Sequence, residues 1–176
     1  MDKNSTKDYS NNLTLFEHIY FINMAGKNTK YPVIALWNPI WTIVWSLLFS
    51  PVFGAFLQRT NWAEMGEPDK ASQSGIWVAL GLIFLGGYLF AEPFLPDAND
   101  FSQYYFLICW FIFYFLWVVF DGRFQVKAVA DRYGTDYHHK LWGKPLMLGA
   151  GGLLLWTAVS LTYIMGLVMM GFIKID

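Results

Sequence analysis

Four uncharged apolar runs organise this chain, at residues 31–58, 71–91, 101–120 and 145–173, with lengths of 28, 21, 20 and 29 residues. A helix needs about 20 apolar residues to cross a hydrocarbon core. The pattern therefore predicts an all-α membrane protein, a four-helix transmembrane bundle. The first run contains LWNPIWTIVWSLLFSPVFGAFL over residues 36–57, with Pro39 near its start and Pro51 inside it. Pro39 suits a first helical turn, where a missing amide hydrogen costs nothing. Pro51 clashes with the carbonyl of Leu47 in a continuous helix. A break at membrane depth requires protein or water to satisfy the freed carbonyls. The expectation is a first span that is either kinked or re-entrant at Pro51.

Within these runs, small residues recur at helical spacing. Ser46, Ser50 and Gly54 fall at i, i+4 and i+8 among the bulkier Trp41, Trp45, Phe49 and Phe53. Ala158, Thr162 and Gly166 repeat that spacing in the last run. In lipid, helices associate through close contact and interhelical hydrogen bonds, so both rows read as helix-packing or partner-binding faces. The competing reading is that the hydroxyls bond back to carbonyls of their own helix. Gly81, Gly86, Gly87 and Ala91 make the second run a thin helix. The third run, FSQYYFLICWFIFYFLWVVF, is dense in aromatic residues, which face lipid or fill grooves left by glycine-rich neighbours.

Outside the runs the pattern changes. Residues 1–13 are polar without period, and Thr14 and Glu17 form a capping box ahead of Phe16, Tyr20 and Met24 on one helical face. This predicts a short amphipathic helix, ended by Gly26, that lies in the headgroup layer. Residues 1–32 are thus read as a polar tail with an interfacial helix, and residues 33–176 as the four-span domain. Glu92 adjoins the second span and is hence a weak functional candidate, although Pro93, Pro96, Asp97 and Asp100 put it in the headgroup layer. The adjacent pair His138-His139 lacks the three- or four-residue spacing of metal ligands on a helix.

Composition agrees with the membrane class, at 56% apolar and 14% charged. A net charge of −1 gives no reason to expect nucleic-acid binding. The single cysteine, Cys109, lies inside the third run and permits neither a disulfide framework nor a cysteine metal site within one chain. No cofactor or metal is expected. The first apolar run is read as an uncleaved insertion signal. Loops 59–70 and 121–144 hold seven Lys and Arg residues, so the positive-inside rule makes them cytoplasmic. The four lysines of the tail share that side only if the first run is re-entrant.

The segments WNP (37–39), WSLLFSPVFGAFL (45–57), NW (61–62), GEPDKA (66–71) and WGKPL (142–146) together resemble a set of small bacterial inner-membrane proteins with no assigned chemistry. Some members of that set are encoded near secreted toxins, so the resemblance implies an immunity role. It covers residues 36 to 146 and transfers no functional residue. With packing faces but no triad, paired carboxylates or metal spacing, the leading expectation is a non-enzymatic inner-membrane protein. It would act on a protein partner, such as a membrane-directed toxin or a membrane complex, or on further copies of itself. The alternative is a small transporter or channel subunit working as an oligomer, against which stands the lack of a charged residue inside any run.

Overall fold

The computed structural model describes residues 34–94 and 102–172. The expected amphipathic helix at residues 14–26 lies outside them. The described chain is mostly helical, and three of its helices are long and apolar enough to cross a membrane: Pro68–Phe94, Tyr104–Tyr133 and Gly143–Met169. The protein is therefore read as an integral membrane protein.

Instead of a fourth spanning helix, the first apolar run forms two shorter ones, α1 (Pro39–Leu48) and α2 (Pro51–Glu64). The cause is local. A residue before proline is pushed out of the helical region, and Ser50 adopts φ 170° and ψ 158°, extended backbone. Its hydroxyl then accepts the Phe53 amide at 3.0 Å, capping α2. At the other end, Asn38 caps α1 by accepting from the amides of Ile40 and Trp41, with Pro39 in the first turn.

The two helices fold back on each other as an antiparallel hairpin. Asn61, near the end of α2, accepts the Trp37 amide at 3.1 Å and donates to the Trp37 carbonyl at 2.8 Å, just ahead of α1. Nearer the tip, a Cβ placed on Gly54 would lie 2.6 Å from Ser46 Cβ and 2.4 Å from Trp117 Cη2. Only glycine permits this approach. Of the two shapes allowed for the first run, the chain takes the one that reverses.

The long helices pack around this hairpin. Helix α3 (Pro68–Ala91) lies along α2, and a Cβ on Gly81 would sit 2.4 Å from Val52 Cγ2 and 3.3 Å from Phe113. Helix α4 (Ser102–Trp117) runs through a widened turn at Val118–Gly122 into α5 (Arg123–Tyr133), which Gly134 ends at φ 56°. Its aromatic face meets α3, where the Phe84 ring stacks on Phe106 and on Phe113, each at 5.9 Å. Phe111 and Phe115 point outward. Helix α6 (Gly143–Met169) is almost uncovered, with 6% of its apolar window buried.

A short parallel pair closes the loop-side end: β1 (Ala35–Leu36) pairs with β2 (His138–His139) in the register Ala35 to His138. Beneath it, Leu36, Trp62, Met65, Ala71, Val129 and Tyr137 form the buried apolar core. The two histidines thus serve as backbone in a strand.

Substituting Gly54 by Ala should lower stability by about 1–3 kcal/mol, because both Ser46 and Trp117 must move. The same change at Gly86, which has open space around it, should be close to neutral. Thermal unfolding in detergent separates the two, and equal melting temperatures would contradict the packing described for the hairpin.

Candidate functional site: a buried polar layer at a widened helical turn

Below the apolar core lies a layer of polar side chains, each almost fully buried: Gln58 and Asn61 from α2, Ser74 from α3, Asp121 from the widened turn and Gln125 from α5. Three amides form a chain. Asn61 Nδ2 donates to Gln125 Oε1 at 3.1 Å, Gln125 Nε2 donates to the Gln58 carbonyl at 2.8 Å, and Gln58 Nε2 donates to the Gly122 carbonyl at 3.2 Å. Such a chain is strongly stabilising only when fully satisfied. Among the described residues Gln58 Oε1 has no hydrogen-bond partner, and the Trp117 indole nitrogen is directed at the Asp121 carboxylate.

The widened turn explains how the layer is built. A turn with i to i+5 hydrogen bonds inserts one residue into the helix, redirects side chains and often accompanies functional sites. Here it turns Asp121 and Gly122 inward together. Gly122 packs against both Gln58 and Ile43, and a Cβ there would lie in ordinary contact with them, 3.5 Å from Gln58 Nε2 and 3.4 Å from Ile43. Asp121 is 3% exposed, and its Oδ2 accepts the Ser74 hydroxyl at 2.8 Å. None of the ion pairs formed among the described residues includes it.

An open crevice of about 440 Å³ leads to Asp121 from the loop side, lined also by Lys70, Gln73, Lys127, Asp131 and Arg132. At its rim Glu67 accepts from Arg132 and lies 3.6 Å from Lys70. The Arg132 hydrogen bond holds the Glu67 carboxyl below its ordinary value. Lys140 pairs with Glu64 at 3.0 Å, tying the segment after β2 to the end of α2.

The residues expected from sequence separate into two groups. Ser46 is buried with its hydroxyl on the Ile43 carbonyl at 2.6 Å, Ser50 caps α2, and Gly54 is closed against Trp117. That row is spent inside the chain. Ala158 and Thr162 are exposed on α6, Gly166 has open space around it, and the Thr162 hydroxyl bonds back to the Ala158 carbonyl at 2.8 Å. Glu92 starts a short exposed turn after α3, away from the polar layer. Asp121 directly follows the third apolar run, on the helix that continues to Tyr133 with Arg123, Lys127, Asp131 and Arg132. Counting apolar residues ends the third run at Phe120, so Asp121 reads as the first residue of a loop. Its inward direction depends on the widened turn. Gln58, Asn61 and Ser74 gave a fainter signal, as uncharged polar residues at helix ends.

Comparison with protein-family models, curated proteins and solved structures finds no match to this chain.

Because the folded carboxyl of Glu67 is held below its unfolded value, the pair contributes stability at neutral pH and loses it as pH falls through the folded value. The pair is partly exposed, so its contribution should stay below about 1 kcal/mol. The melting temperature of the natural chain should exceed that of E67Q at neutral pH, with the gap closing in acid. A gap that widens in acid would contradict this assignment.

Proposed function

We propose that this is a non-enzymatic integral membrane protein that acts by holding a transmembrane helix of another protein against α6. One observation carries the reading. Helix α6 touches the remaining helices at Gly149, against Phe49, and at Tyr163, against the Phe90 ring at 5.3 Å. Among the described residues, its Ala158 and Thr162 are exposed and nothing stands over Gly166. Small residues permit the close approach on which helix association in lipid depends. The row Ser46, Ser50 and Gly54 is excluded as a docking face, because it builds the hairpin.

On the immunity reading that the sequence resemblance implies, the partner is the transmembrane part of a membrane-directed toxin. The same reading sets loops 59–70 and 121–144 on the cytoplasmic side of a bacterial inner membrane. The hairpin supports this orientation, because Trp37 and Asn61 meet at one end. The strand residues just before α1 therefore lie on the side of loop 59–70. Reporters fused near Ser10 and after Gly134 should both report the cytoplasm. Opposite signals would refute the re-entrant arrangement.

Gly166→Leu is the sharper test. With open space around Gly166, the melting temperature of the isolated chain should not change. Binding to the protein recovered with it from native membranes should weaken about fivefold to thirtyfold, corresponding to about 1–2 kcal/mol for one helix contact. Unchanged recovery and unchanged oligomeric state for Gly166→Leu would remove this reading.

A further inference from the structure

We infer that Asp121 is a proton-binding site, which exchanges its proton with the aqueous layer through the crevice between α3 and α5. The inference is independent of what docks on α6. A buried carboxyl outside any ion pair is costly to keep unless it has a use, and this one has a route to water: Asp121 is buried, yet it forms part of the crevice wall.

Its surroundings favour a proton over a metal ion. Among the described residues no group of three acidic, histidine or cysteine side chains could hold a metal. The carboxylate faces hydrogen donors, the Ser74 hydroxyl at 2.8 Å and the Trp117 indole. A single carboxyl suffices for a proton.

Among the described residues, no ion pair includes it. On the α3 side, Lys70 lies 4.7 Å over the Trp62 ring and 3.6 Å from Glu67. On the α5 side, Arg132 pairs with Glu67, and Lys127 and Asp131 line the same crevice. Helix α1 has no ionisable residue. Helix α2 has two, Arg59 against Gly75 and Glu64 on Lys140. Tyr114 of α4 donates to the Ile43 carbonyl at 3.1 Å.

Proton uptake would act on the structure through the turn. Asp121 and Gly122 are adjacent, and the Gly122 carbonyl receives the last hydrogen bond of the amide chain from Gln58 to Asn61. A change at the carboxyl is thus one residue from the contacts that hold the hairpin to α5.

The test is labelling of the full chain in proteoliposomes with a water-soluble carbodiimide, which adds whole to an un-ionised carboxyl and raises its mass by that of the reagent. Peptide mass mapping should find the adduct on Asp121, falling as pH rises, equal in sodium and choline chloride, and absent in D121N. Ser74→Ala should move the half-labelling pH upward, since the hydroxyl no longer donates to the charged oxygen. An Asp121 that stays unlabelled at every pH overturns the inference. So does labelling only by a lipid-soluble carbodiimide, which denies the crevice route. Protection by sodium overturns it in favour of a metal-cation site. The wild-type measurements stand alone should either variant fail to fold.

Discussion

The structure depends on the requirement that a helix broken inside an apolar segment find partners for its freed backbone groups. The chain meets this requirement twice. At the tip, Ser50 takes the extended backbone that Pro51 imposes and satisfies the Phe53 amide with its own hydroxyl. At the base, Asn61 uses both ends of its amide on the backbone of Trp37 and spends a further hydrogen on Gln125. Without these contacts the reversal would leave unpaired groups, and each unpaired group buried away from water costs several kcal/mol.

The polar layer follows from the same requirement. Side chains that satisfy backbone groups must themselves be satisfied, so Asn61 brings in Gln125, Gln125 reaches the Gln58 carbonyl, and Gln58 reaches the Gly122 carbonyl in the widened turn. Gln73 approaches the neighbouring Phe120 carbonyl at 3.5 Å. The turn therefore has amides from α2 and α3 directed at its carbonyls. That support makes a wide turn tenable next to an apolar helix, and it leaves Asp121 facing inward beside Ser74.

Much of this was legible in the sequence, and the remainder shows what periodicity omits. Pro51 marked the break, and the spacing of Ser46, Ser50 and Gly54 marked a tight contact, but spacing does not distinguish contact with a partner from contact with the chain's own hairpin. Gly54 meets Trp117, which lies 63 positions later by the numbering, and no local pattern encodes that pairing. The run boundary at Phe120 hid Asp121, because hydropathy assigns residues to membrane or loop one at a time, whereas a widened turn rotates side chains by geometry. The pairing of Ala35 with His138 was equally invisible: two residues per strand carry no alternation to detect.

The distance along the chain over which the hairpin is tied has a consequence for biogenesis. The Trp37 indole donates to the Leu141 carbonyl 104 positions away, and Trp37 is the residue that Asn61 clasps. During synthesis the hairpin leaves the ribosome long before α5 and β2 exist. Its amides at Gln58 and Asn61 must therefore wait for Gly122 and Gln125, hydrated at the bilayer surface or bound to the insertion machinery. Contacts this distant in sequence form late and slowly. The hairpin is thus made before the segments that complete it and settles only after them.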